Sequence, residues 1–329
     1  MVGRADGCDD WRMPVTQAPH GLHHVTAVSS DIRNNRAFYT RTLGMRLVKR
    51  SVNQDDVSAY HLFYADGAGS PGTDLTFFDF AVPPEQRGGH VFTRTHLRVR
   101  DIDTLTWWET HLRDAGVPTE PIAEIDGRGT LPFEDPEGQR LALVVDDGAG
   151  DDPTPWEDAA IPAERQLRGL GPARATVPDA ARSEVLLEHV FGLRYDRSYA
   201  LNDHEVRVHV MGDGGAHAEV HLEIDPSLPP ARPGAGGVHH IALRIPDEAY
   251  DAWAERLGRM RIPNSGPVDR FWFRSLYVRD GNGLLFELAT DGPGFAVDED
   301  PAHLGETVVL PPFLEPQRAG IEAGLKPLD

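Results

Sequence analysis

Two stretches decide the fold: "VRDGNGLLFELATD", Val278–Asp291, and "FEDPEGQRLALVVDD", Phe133–Asp147. Each carries Asp-x-x-Gly followed by an apolar run. That pattern reads as a tight turn feeding a buried strand, with the glycine supplying a positive backbone angle. Ahead of each turn lies a segment of helical period, "IDTLTWWETHLRDAG" in one case and "DEAYDAWAERLGRM" in the other. Apolar residues there recur three and four apart. Ahead of each helix is a further strand candidate, "THLRVRD" and "HHIALRIPD". The order is therefore strand, helix, then several strands.

The same order fits "GLHHVTAVSSDIRNNRAFYTRTLGMRLVKRSV…YHLFYADGAGSPGTDLTFFDF" and, more loosely, "GLGPARATVPDAARSEVLLEHVFGLRYDRSYALNDHEVRVHVMGDGGAHAEVHLEID". Four βαβββ-like units result, a repeat of pattern rather than of identity. The fold class expected is α+β: four βαβββ modules in two paired units, forming curved, mostly antiparallel sheets around a metal cleft. The stretch "DDGAGDDPTPWEDAAIPAE" is rich in Pro, Gly and acid and reads as a linker. Five segments are expected: a flexible tail over 1–18, a first pair of modules over 19–147, a linker over 148–165, a second pair over 166–292, and a packing tail over 293–329.

A length of 329 residues, with 40% hydrophobic and 26% charged residues, places the chain among globular proteins. Lys and Arg number 32 against 52 Asp and Glu, a net charge of −20 whose averaged field repels phosphate backbones and anionic lipid. Neither nucleic acid nor a membrane is an expected partner. No apolar run approaches the roughly 20 residues of a spanning helix, and "MVGRADGCDDWRM" lacks a secretory core. A cytoplasmic location is the expectation. The one cysteine, Cys8, sits in a polar tail and cannot form an intramolecular disulfide.

Candidate chemistry starts from two His-His doublets, in "GLHHVTAVSS" (Gly21–Ser30) and "GGVHHIALRI" (Gly236–Ile245). Successive strand side chains face opposite ways, so each doublet is expected to offer one ring to a common site. His239 shares its side with Ile241, Leu243 and Ile245, an apolar face. His240 shares its side with Ala242 and Arg244, which suits a wet cleft. Parity between related units then pairs His24 with His240. Glu287 interrupts the apolar strand "GLLFELATDG", and a buried carboxylate is costly unless it is paired or bound to metal. The matching positions of the second unit are Arg94 and Ala142, and the opening strand of the third has no histidine. Only the first and fourth units supply donors.

Two imidazoles and a carboxylate form the facial set of non-haem Fe(II) oxygenases, which leaves positions open for substrate and dioxygen. A structural zinc site would close with four ligands, usually including thiolates. The expected cofactor is Fe(II), with Mn(II) or Zn(II) as alternatives that the donor set also accommodates.

These stretches, together with "DRFWFRSLYVRDGNGLLFELATDGPGFAVDED" and "LGETVVLPPFLEP", resemble the vicinal oxygen chelate superfamily of glyoxalases, bleomycin-resistance proteins and extradiol dioxygenases. Within it the resemblance is closest to hydroquinone-type ring-cleaving dioxygenases, over residues 19–318. It implies an extradiol-type dioxygenase that binds an aromatic diol and O2, with His24, His240 and Glu287 as iron ligands and with homo-oligomers left open. It further implies catalytic or substrate-contacting roles for His23, Thr26, His239, Arg270 and Tyr277. Two of those implications meet the strand reading directly. His239 falls on the apolar face, and Arg270 and Tyr277, seven apart, would face opposite ways unless a loop intervenes. The alternatives are a metal-free, drug-sequestering binding protein, or a glyoxalase-like isomerase or lyase, on the same scaffold.

Overall fold

The structure is a computed structural model and describes residues 17–328. Most of the expected N-terminal tail, Cys8 included, therefore lies outside the described residues. The first module comprises β1 (Leu22–Ser29), α1 (Ile32–Ala37, continued by a π turn over Phe38–Thr42), β2 (Arg46–Val52), β3 (Tyr60–Ala65) and β4 (Asp74–Asp79). The second comprises β5 (Val91–Val99), α2 (Ile102–Asp114), β6 (Ala123–Ile125), β7 (Arg128–Glu134) and β8 (Arg140–Val145). The third holds β9 (Leu170–Val177), α3 (Ala181–Glu184, with a π turn over Val185–Val190), β10 (Arg194–Leu201), β11 (His204–Val210) and β12 (Glu219–Ile224). The fourth holds β13 (Val238–Ile245), α4 (Tyr250–Arg259), β14 (Val268–Asp269), β15 (Arg274–Arg279) and β16 (Leu285–Thr290), and α5 (Arg318–Gly324) lies in the C-terminal segment.

The strands form two eight-stranded sheets, ordered β14-β15-β16-β13-β1-β4-β3-β2 and β10-β11-β12-β9-β5-β8-β7-β6. Within each module the opening strand runs parallel to the last, and the remaining ladders are antiparallel. Modules one and four share the first sheet and modules two and three the second. Each module presents its opening strand as a bare edge. β1 covers the edge of β13, from the far end of the chain, and β5 covers that of β9.

Modules one and two, and modules three and four, meet through their turns. Both Asp-x-x-Gly turns form as expected, with Gly138 at φ +85° and Gly283 at φ +89°. Asp135 accepts the backbone N–H groups of Glu137 and Gln139 and the hydroxyl of Tyr39, which comes from the first module. Asp280 does the same with Asn282, Leu284 and the hydroxyl of Ser183 from the third. The linker is tied to the body by, among other contacts, Asp151 to Arg244 at 3.1 Å and Asp152 to Arg168 at 2.9 Å.

α2 begins where Asp101 caps the N–H of Thr104 and buries Leu105, Trp108 and Leu112, the expected one-sided stripe. α4 buries Tyr250, Trp253 and Leu257 likewise. These faces, with Val25, Ile241, Leu276 and Leu288 from the sheets, build the main core. Opposite strand positions face the other way: Phe63, Ala242, Trp272, Phe273 and Ala289 form a second cluster behind the cleft. No helix among the described residues is long and apolar enough to cross a membrane.

Candidate metal centre

β1, β13 and β16 lie side by side at the centre of the first sheet, which brings His24, His240 and Glu287 together. His24 Nε2 is 3.3 Å from His240 Nε2, and Glu287 Oε2 is 3.1 Å from the first and 2.9 Å from the second. All three side chains are buried, Glu287 completely. Oε2 nevertheless makes no hydrogen bond, because neither ring N–H direction meets it. Two imidazole nitrogens and a carboxylate oxygen converging this closely fit a shared cation. The remaining oxygen of Glu287, Oε1, accepts the hydroxyl of Ser275.

Burial alone would push the Glu287 carboxyl up, but the two imidazoles outweigh it and hold it well below the usual carboxylate range. Burial keeps the His240 ring below its ordinary value, against the pull of Glu287. The set is thus a carboxylate with a neutral imidazole beside it, the protonation states that metal ligation requires.

Two other clusters combine histidine with carboxylates, Asp126–Glu219–His221 and Glu184–Glu188–His209. Both are already closed by cations. Arg128 makes two hydrogen bonds to Glu219, of 2.7 and 2.8 Å, and Arg197 pairs with Asp126. Arg207 lies 3.0 Å from Glu184. No arginine or lysine pairs with Glu287 among the described residues.

His23 and His239 depart from the alternation argument. His23 Nδ1 lies 2.9 Å from His24 Nδ1, and His239 Nδ1 lies 2.8 Å from His240 Nδ1. The β1–β13 register slips by one residue at each doublet: Leu22↔Leu243 is followed by His24↔Ala242, and Thr26↔His240 by Ala27↔Val238. His23 and His239 are the extra residues. A bulge sets two neighbouring side chains on nearly the same side, which strict period-two alternation forbids. His239 consequently does not pack in the apolar core with Ile241 and Leu243; it is exposed, with its ring 5.6 Å from that of Phe78. His23 is buried, and burial and the ring of His24 lower it to about 3.

Thr26 places Oγ1 3.1 Å from His240 Nε2 and 2.8 Å from Thr76 Oγ1. A loop does separate Arg270 from Tyr277: β14 ends at Asp269 and β15 begins at Arg274, with Phe271 at φ +73° between them. It folds Arg270 back so that its Nε donates to the Tyr277 hydroxyl at 3.2 Å, while its terminal nitrogen pairs with Asp55 at 2.9 Å. Tyr277 stands opposite Glu287 across the β15–β16 ladder. Burial, then the nearby carboxylate, raises its phenol above the ordinary value, so the proton stays on oxygen.

His24 and His240 open onto a pocket walled by Phe63, Phe78, Trp272 and Phe273, whose other polar groups are His61, Arg270, Tyr277, Asn53, Gln54 and Asp55. His61 was not among the residues expected. The alternation in "YHLFYA" carries the signal: Tyr60, Leu62 and Tyr64 belong to the main core, so His61 and Phe63 face the cleft.

The family model described as Glyoxalase/Bleomycin resistance protein/Dioxygenase superfamily matches residues 21–143 and 169–288. The chain belongs to this superfamily. It is 42% identical over 312 residues, 94% of its own length and 99% of the other's, to the Bacillus subtilis protein named "Putative ring-cleaving dioxygenase MhqA". It is 30% identical over 317 residues, 92% of this chain and 95% of the other, to the chlorohydroquinone/hydroquinone 1,2-dioxygenase of Sphingobium indicum. Among solved superfamily structures, one from Bacillus subtilis titled a "putative dioxygenase" superposes with a TM-score of 0.87 at 32% identity, covering 95% of this chain and 99% of that one. Maize glyoxalase I shares the fold at a TM-score of 0.62 and 15% identity, over 86% and 95% of the two chains.

Proposed function

We propose that this protein is a ring-cleaving dioxygenase of the extradiol type, dependent on Fe(II), that inserts O2 into a hydroquinone- or catechol-type ring. The observation that carries the reading is the convergence of His24 Nε2, His240 Nε2 and Glu287 Oε2, mutually within 4.8 Å, with both histidines lining a pocket walled by aromatic side chains. The relatives at 42% and 30% identity, named for ring cleavage and for hydroquinone dioxygenation, favour the same chemistry.

In this reading His24, His240 and Glu287 hold the metal. The bound ion supplies dioxygen activation and eases loss of the substrate's hydroxyl proton. The protein's own share is orientation and charge control. Phe63, Phe78, Trp272 and Phe273 hold a flat ring and exclude water. Arg270, fixed between Tyr277 and Asp55, sets a permanent positive charge beside the substrate oxygens. Tyr277 keeps its proton and can donate it to an oxygen that gains negative charge during ring opening. Thr26 Oγ1 lies close enough to His240 Nε2 to direct a hydroxyl at whatever shares the metal.

The reading is tested with Fe(II)-loaded protein, anaerobically prepared, in an oxygen electrode with hydroquinone and with catechol. Uptake of one O2 per ring lost from the ultraviolet spectrum is expected for one of the two. Conversion without oxygen would instead favour an isomerase, and binding without conversion a sequestering protein.

A further inference from the structure

We propose that His61 is the group that recognises the second hydroxyl of an aromatic diol, with its Nδ1 as the contacting atom; this rests on the function proposed above. His61 stands on β3, two strands from β1, and its ring lines the same pocket as His24 and His240. Its Nε2 is committed to Thr76 Oγ1 at 3.0 Å. Thr76 Oγ1 continues to Thr26 Oγ1 at 2.8 Å, and Thr26 Oγ1 to His240 Nε2 at 3.1 Å. One end of the imidazole is thereby pinned into a hydroxyl chain that ends at a candidate metal ligand. The rings of Phe63, at 4.0 Å, and Phe78, at 4.5 Å, clamp its plane.

Nδ1 lies on the other edge of the ring. It has no hydrogen-bond partner among the described residues, and it is not one of the buried atoms left unsatisfied. A pinned imidazole with one free nitrogen at an accessible wall of an aromatic pocket suits a small polar group on a flat ring. Arg270, in the loop after β14, and Tyr277, on β15, lie on the far side of β16 and β13 from His61. A ring whose first oxygen is at the metal therefore meets the Arg270–Tyr277 pair toward one side and His61 toward the other. A phenol, lacking the second oxygen, leaves Nδ1 unpaired. A hydrogen bond gained or lost in such a setting changes affinity by roughly tenfold.

The test compares hydroquinone with phenol, titrated calorimetrically and without oxygen into Fe(II)-loaded wild type, His61→Asn and His61→Gln. Asn places a polar atom near Nδ1, whereas Gln places one near Nε2 and leaves the Nδ1 edge bare. Wild type and His61→Asn are expected to favour hydroquinone over phenol by about tenfold, and His61→Gln to bind the two about equally. Equal preference in wild type and His61→Gln overturns the assignment. So does loss of preference in Asn with retention in Gln, which would mean that the ring acts through Thr76. Should wild type bind neither compound and consume no oxygen with either diol, the dioxygenase reading falls first; if it turns over hydroquinone and only the preference fails, His61 alone is removed.

Discussion

His239 and His240 are joined ring to ring, Nδ1 to Nδ1 at 2.8 Å, and His23 and His24 repeat the arrangement at 2.9 Å. In each doublet one histidine points Nε2 at Glu287 and the other steadies it from behind. With Nε2 of the front ring given to a metal, its Nδ1 carries the proton and donates it to the rear ring. The tautomer is thus set by the neighbour.

Replacing a rear histidine should loosen the metal without unfolding the chain. His239→Ala, at an exposed position, is expected to weaken Fe(II) binding by roughly 10- to 100-fold. Competition against a chelator measures it. An unchanged constant with an unaltered circular dichroism spectrum would deny His239 that role.

Glu287→Gln removes the only formal charge from the ligand set. Iron retained per chain after loading and desalting should drop below a tenth of the wild-type value, and oxygen uptake with it. Full retention of iron would take Glu287 out of the proposed centre.

Tyr277→Phe leaves the ring in place and deletes the proton. We expect turnover to fall roughly 10²-fold while iron content stays at the wild-type level. Asp55→Asn, whose carboxylate is mostly in solvent although it pairs with Arg270, should change turnover only a few-fold. A Tyr277→Phe enzyme with wild-type turnover would assign that proton elsewhere.

Lys49 is fully buried on β2, where its ammonium donates to the Phe295 carbonyl and to Asp298 and Glu299. Asp298 also accepts the indole N–H of Trp272, a wall of the pocket. Lys49→Met strands both carboxylates and should destabilise the protein by about 3–5 kcal/mol. Thermal unfolding and protease cleavage between Pro293 and Glu306 report it. A melting point within a degree of wild type would show that the tail is held by other contacts.

Asp135 supplies a pH test remote from the metal. Burial raises its carboxyl from 3.8 to about 6, against the pull of its backbone and Tyr39 hydrogen bonds. The folded state therefore holds a proton that the unfolded chain gives up near pH 4. The favourable contribution of this group is complete below about pH 4 and is lost as pH rises through about 6, a change of about 3 kcal/mol. Asp135→Asn keeps the acceptor for the two backbone N–H groups and removes the titration. The stability difference, variant minus wild type, should grow between pH 4 and 6 and then level off. A flat difference would contradict the assignment.

Much of the fold was legible because its signals are local. The two Asp-x-x-Gly turns needed only the glycine's freedom and the carboxylate's reach across a few backbone N–H groups. Glu287 stood out as a carboxylate interrupting an apolar run, and in the structure its neighbours Phe286 and Leu288 belong to the main core. Alternation singled out His240, and parity between related units then singled out His24. Helical stripes such as Leu105, Trp108 and Leu112 were equally plain.

What the amino-acid order determined by itself, then, was each module's sequence of elements and the face taken by side chains away from the bulges, since both follow from geometry within a few residues. The tertiary structure decided which modules share a sheet, because edge strands recognise one another through backbone groups common to every sequence. It also decided where β1 and β13 slip past each other. A bulge belongs to a pair of strands rather than to either one, so only the joining of segments 216 residues apart could turn His23 and His239 toward their partners. His61 gained its place in the same way, by a hydroxyl chain that links four strands.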